Sequence, residues 1–114
     1  MMPAAGTVLC ELRELAAPGA KGFVFGKGLA RTEVFLARTI DGAVFGYRNA
    51  CPHQGTPLET FGDKFLTDTG TYIVCSTHGA RFRPEDGVCV SGPCTGQALT
   101  PVSVHIERGL VMLA

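Results

Sequence analysis

The chain has 114 residues, with ten Lys and Arg balanced by ten Asp and Glu, and 46% of its residues are apolar. A single domain of this size buries about two-thirds of its unfolded surface, so a core can form without disulfide support. Charge balance argues against nucleic acid or an anionic membrane as partner. There is no N-terminal secretory pattern and no run near the roughly twenty apolar residues of a membrane span, so the expectation is a soluble, cytoplasmic protein.

In chain order, residues 7–11 read as a strand and residues 11–16 as one short helix stopped by Pro18-Gly19. A strand is expected at 23–25. The clearest signal is "TEVFLARTIDGAVFGYRN", where two runs rich in Val, Phe, Ile and Tyr flank Asp41-Gly42. That dipeptide tolerates the positive φ of a tight turn, which predicts a hairpin of strands at 33–39 and 43–48. Further on, "TYIVC" gives a strand that ends at Cys75. Near the end, Val102, Val104 and Ile106 alternate with Ser103 and His105, and "ERG" turns the chain into "LVML", a second hairpin. Fifteen glycines and seven prolines punctuate these short strands. The fold class expected is all-β, a small antiparallel sandwich or barrel.

Two segments carry the chemistry. "CPHQGTPLE" begins at Cys51 and "CSTHGARF" at Cys75, so each supplies one cysteine and one histidine: Cys51 with His53, and Cys75 with His78. Five cysteines is an odd number, and in a reducing compartment paired Cys and His favour metal or redox chemistry over a disulfide framework. Two thiolates and two imidazoles can close a tetrahedron around zinc. Zinc sites more often use a C-x-x-C knuckle with a His pair on a helix, whereas here each loop carries one ligand of each kind. Mixed pairing suits an unsymmetrical two-metal centre, in which each loop gives one ligand to each metal.

Cys51-x-His53 with Cys75-x-x-His78-Gly79 resembles the Rieske motif. "NACPHQGTPL", "CSTHGARF", "DGVCVSGP" and "PVSVHIERGLVML" fall in that family's order and cover about two-thirds of the chain. The resemblance implies one [2Fe–2S] cluster, with Cys51 and Cys75 on the inner iron and His53 and His78 on the outer. It implies a base β domain at about 1–48 and 95–114 and a cluster-binding subdomain at about 49–94, with Gly92-Pro93 in a third, shielding loop. It also implies a one-electron carrier of the ferredoxin type, between a flavin-containing reductase and a terminal oxygenase or similar acceptor. Such a chain has no substrate site of its own. The other readings are a Rieske-like small subunit of a larger reductase, such as nitrite reductase, and a structural zinc module.

Relatives in respiratory chains carry a disulfide between the two loops, and a serine and a tyrosine that donate hydrogen bonds to cluster sulfur. The corresponding positions here read Thr56, Thr77, Ala80 and Phe82, so the resemblance implies a low potential. Partner contact is expected at Pro52, Gln54, Thr77 and Gly79, with Arg81 and Arg83 at the rim. Cys10 and Cys89 read as buried structural residues, Cys94 as a neighbour of the cluster, and His105 as a surface residue. Phe61 and Phe65 read as core or as cover for the loop between the two motifs.

Overall fold

The computed structural model describes residues 3–52, 57–58, 65–67, 69–76 and 79–114. Ten short strands are named among them: β1 (Val8–Glu11), β2 (Gly19–Phe25), β3 (Thr32–Arg38), β4 (Val44–Arg48), β5 (Ile73–Val74), β6 (Arg81–Phe82), β7 (Cys89–Ser91), β8 (Pro101–Val102), β9 (Val104–Glu107) and β10 (Leu110–Leu113). They form three sheets, ordered β1-β10-β9, β2-β3-β4-β8 and β5-β6-β7, and every pairing is antiparallel. No helix among the described residues is long and apolar enough to cross a membrane.

The centre of the molecule is β3. Val34, Phe35, Leu36 and Ala37 are all buried, and a continuous apolar run in a strand means that both faces are covered. Successive side chains point to opposite faces. Phe35 and Ala37 therefore enter the larger core, with Tyr47, Leu58, Phe65, Phe82 and Leu99. Leu36 enters the smaller one, with Cys10, Leu15 and Val111. Phe35 stacks on Phe65, ring centroids 4.4 Å apart and planes within 7°, an offset-stacking distance for aromatic pairs. Phe65 is thus core; Phe61 lies outside the described residues.

The first hairpin forms as expected, with β3 and β4 paired from Val34↔Arg48 to Arg38↔Val44. Gly42 takes the positive φ, +95°, and the Thr39 N–H donates to Ala43 O at 2.8 Å to close the turn. The second hairpin joins β9 to β10 through Arg108 and Gly109, both at positive φ.

Three expectations are corrected. The segment 11–16 holds only a 3₁₀ turn, Leu12–Glu14, fastened where the Glu11 N–H donates to Glu14 Oε2 at 2.7 Å. Gly19 begins β2 instead of ending a helix, and β2 runs seven residues because its whole length pairs with β3, Gly19↔Arg38 through Phe25↔Thr32. Gly19, Ala20 and Gly22 give no strand signal of their own; the partner strand supplies the ladder. Finally, 102–106 is not one strand. Pro101 and Val102 pair with β4, while Val104 onward pairs with β10, so the chain changes sheets at Ser103. Ile106, on the edge strand of its sheet, is exposed. Its neighbour His105 is exposed as expected, with Nε2 3.6 Å from Glu107.

Tyr47 ties the turn 83–87 to this frame. Its buried hydroxyl donates to Pro84 O, and burial, followed by the nearby charges of Asp86 and Glu85, pushes its pKa up to about 12. A phenol whose folded pKa exceeds its unfolded value of about 10 stabilises the fold below that value. This contribution is lost as pH rises from about 10 through 12. In Tyr72→Phe protein, where Tyr47 is the remaining tyrosine, ultraviolet titration should show no tyrosinate until the pH approaches 12; an ordinary titration near 10 in folded protein would refute this. Tyr47→Phe should remove part of the alkaline fall in stability.

Candidate metal centre

The two cysteine-bearing segments are fastened to each other by backbone hydrogen bonds. The first leaves β4 at Asn49, whose N–H donates to Glu33 O at 2.9 Å. The Asn49 side chain is buried, and its Oδ1 accepts from the Leu58 N–H at 2.8 Å. Asn49 therefore holds both ends of the segment 50–57, which contains Cys51. The second segment leaves β5 at Cys75. Cys75 N–H donates to Ala80 O at 2.9 Å, and Gly79 N–H donates to Cys75 O at 2.8 Å, closing the loop back into β6. The Ser76 N–H then donates to Leu58 O at 2.8 Å. Leu58, fully buried, thus bonds one segment through its N–H and the other through its carbonyl.

Cys51 and Cys75 are 3% and 1% exposed and lie in the same apolar cluster as Phe35, Leu58 and Phe82. Both sulfurs are soft donors of the kind that bind metal as thiolates, although the described residues alone assemble no group of three or more ligating side chains. His53 and His78 lie outside the described residues, as do Gln54, Thr56 and Thr77.

A third segment packs against the second. Gly92 has φ +103°, and a Cβ placed on it would stand 2.8 Å from Ala80 Cα. Only glycine allows the turn after β7 to press so closely on the loop that begins at Cys75. The same turn carries Cys94, which is 1% exposed. Its Sγ donates to Cys89 Sγ at 3.2 Å, and both share the apolar core that holds Cys51. Burial, then the contact with Cys89, pushes the Cys94 thiol up to about 12, which keeps its proton on sulfur at neutral pH. Cys89 in turn donates to Ser91 O at 3.2 Å. Cys10 is buried in the other core.

Arg81 and Arg83 are both exposed. Arg83 is engaged by Asp86 through Nε and Nη2, at 3.1 and 2.7 Å. Asp86 is held below its ordinary carboxyl range by the Val88 N–H first and then by Arg83. Its rim charge is therefore largely answered within the chain. Asn49 and Leu58 were not singled out in the sequence. The only signal was a short polar side chain placed between a strand and a cysteine.

Three antiparallel sheets, with two buried cysteines on hydrogen-bonded loops and a third loop packed beside them, make a small all-β domain with paired cysteines at one site. The profile of the Rieske [2Fe-2S] domain matches residues 6–106, and the chain belongs to that family. The family's cofactor is a [2Fe–2S] cluster, and the two buried thiols fit the sulfur half of its donor set.

The fold resembles the ferredoxin of carbazole 1,9a-dioxygenase from Nocardioides aromaticivorans IC177, with a TM-score of 0.71 and 20% identity over 97% of this chain and 98% of that one. It also resembles a chain in the reduced complex between oxygenase and ferredoxin in carbazole 1,9a-dioxygenase, with a TM-score of 0.75 and 24% identity over 94% of this chain and 27% of that one. Cholesterol 7-desaturase nvd of Xenopus laevis is 38% identical over 61 residues, which are 54% of this chain. The chain spans only 13% of that relative's length.

Asn49→Ala removes the acceptor for a buried N–H, which costs about 1–3 kcal/mol. The urea midpoint should fall accordingly, and amide exchange should accelerate in peptides covering residues 49–58 and 75–80. Asn49→Asp, which keeps an acceptor oxygen, should recover part of the loss. Unchanged exchange in Asn49→Ala would show that the loops are held by something else.

Proposed function

We propose that Cys51, His53, Cys75 and His78 hold the [2Fe–2S] cluster. We further propose that the chain is a one-electron carrier of the Rieske ferredoxin type, passing electrons from a flavin-containing reductase to a terminal oxygenase or similar acceptor. The observation that carries this reading is the pair of buried thiols on two loops bonded through Leu58, in a chain of the Rieske family. Similarity to a dioxygenase ferredoxin along nearly its whole length, and to a chain in an oxygenase–ferredoxin complex, supports the choice of partners.

The cluster supplies a one-electron couple when bound. The chain's own residues seat it, exclude water from its inner side and hold the loops still. Phe82, Leu58 and Phe65 wall the sulfur side. Division into a base at about 1–48 and 95–114 and a cluster-binding part at about 49–94 is supported by the sheet β5-β6-β7, which lies wholly in the second part. On this reading the docking face includes Pro52 and the exposed Gly79, with the exposed Arg81 on the rim. The partner would dock there. The carrier has no substrate site of its own and works in the cytoplasm.

Replacing Cys51, His53, Cys75 or His78 with alanine should abolish the rhombic electron paramagnetic signal of reduced protein, while His105→Ala keeps it. A lost signal in folded His105→Ala, or a retained one in any of the four, would overturn the ligand set. A colourless protein that binds zinc stoichiometrically would overturn the carrier reading.

Ala80 and Phe82 are fully buried and carry no hydroxyl. A hydrogen bond to a charged acceptor contributes about 1.5–3 kcal/mol, and about 1.4 kcal/mol corresponds to roughly 60 mV for one electron. The potential should therefore lie toward the negative end of a range of about −150 to +300 mV. Protein-film voltammetry should place the midpoint below roughly +100 mV. Ala80→Ser and Phe82→Tyr should each raise it, by at most about 130 mV. A wild-type midpoint above that mark would contradict the assignment of low potential.

A further inference from the structure

Four of the five cysteines share one apolar core: Cys51, Cys75, Cys89 and Cys94. The proposed ligand set uses the first two. Cys89 and Cys94 remain, on β7 and on the turn that follows it, as separate thiols whose sulfurs face each other at 3.2 Å.

The backbone holds them in that position. Cys89 N–H donates to Gln97 O at 2.7 Å, and Gly96 N–H donates to Cys89 O at 3.0 Å. Gln97 N–H donates to Cys94 O at 2.9 Å, and Thr95 reaches Gly92 O through both its N–H and its hydroxyl. The segment 89–97 is thus a closed loop that folds Cys94 back over Cys89. Two thiols buried merely as small hydrophobes need only apolar neighbours. Here the loop also aims one sulfur at the other.

From this geometry we propose that Cys89 and Cys94 form a reversible dithiol–disulfide couple, a second redox site in the apolar core that holds Cys51. Closing from 3.2 Å to the S–S bond length of about 2.05 Å requires a movement of about 1.2 Å. The five-residue separation keeps that movement within one loop. The oxidant is a low-molecular-weight disulfide, and the exchange balances: two protein thiols and one RSSR give one protein disulfide and two RSH. One protein sulfur attacks RSSR and releases the first RSH, leaving a mixed disulfide. The second protein sulfur attacks that bond and releases the second RSH, and both thiol protons leave with the released thiols. Both sulfurs are buried, so the exchange proceeds through opening of the exposed turn at Ser91–Pro93.

Formation of this disulfide does not depend on the ligand reading above.

Trypsin separates the question cleanly, because residues 82–108 form one peptide, Arg83 being followed by Pro84, and it contains Cys89 and Cys94 alone among the cysteines. Cluster-loaded protein is incubated with oxidised glutathione, quenched in acid, denatured in N-ethylmaleimide and mapped by mass spectrometry, with its reduced-state paramagnetic signal recorded in parallel. The expected result is a peptide that takes up no maleimide until dithiothreitol is added and then takes up two. Its signal should be retained. Cys94→Ser and Cys89→Ser should block the species. Full alkylation of both positions under conditions that oxidise a free dithiol would overturn the proposal. So would a disulfide that instead reaches Cys51 or Cys75, or one that forms only in protein that has lost its signal. Loss of the signal before any treatment would count against the ligand reading and leave the disulfide map to be judged by itself.

Discussion

Leu58 is the joint on which the site depends. Its N–H is bonded to the Asn49 side chain and its carbonyl to the Ser76 N–H. An unpaired buried backbone group costs about as much as a lost hydrogen bond, so neither contact is optional. Through them, two cysteine segments that start from strands in different sheets, β4 and β5, acquire a fixed relation. The cost of ordering two loops is then met by the core itself, since Leu58 is fully buried among Phe35, Phe65 and Phe82.

That core reaches the site through β3. A strand covered on both faces couples two hydrophobic clusters, one containing four of the five cysteines and the other joining β1 and β10 to the 3₁₀ turn. Phe35 is the point of transfer: it belongs to β3 and stacks on Phe65, which precedes β5 and accepts the Val74 N–H through its carbonyl at 2.8 Å. A close-packed interior resists small displacements. Such a frame suits a centre that accepts and gives up an electron with little rearrangement of its surroundings.

Burial sorts the cysteines differently from the way composition would. All five are buried, yet Cys10 lies in the cluster away from the loops while the other four converge. In the convergent group, the turn carrying Cys94 is pressed onto Ala80 at Gly92 and sets Cys94 against Cys89. The third loop thus places a second pair of sulfurs in the core that holds Cys51 and Cys75.

How much of this the sequence determined by itself can be judged element by element. The β3–β4 hairpin was legible because Asp41-Gly42 encodes its turn locally, and the β9–β10 hairpin because a turn separates two apolar runs. The family and its cofactor were legible because paired Cys and His motifs depend on residue type and spacing along a short stretch. What lay beyond reach was whatever a distant partner decides. Gly19, Ala20 and Gly22 became strand because β3 lies beside them, and the run from Val102 to Ile106 was divided between two sheets because β4 and β10 each claimed part of it. The facing of Cys94 and Cys89, and the Asn49–Leu58–Ser76 bridge, follow from how the loops pack after the sheets are in place. Local chemistry is written in neighbouring residues, while these contacts depend on the tertiary placement of whole loops and strands.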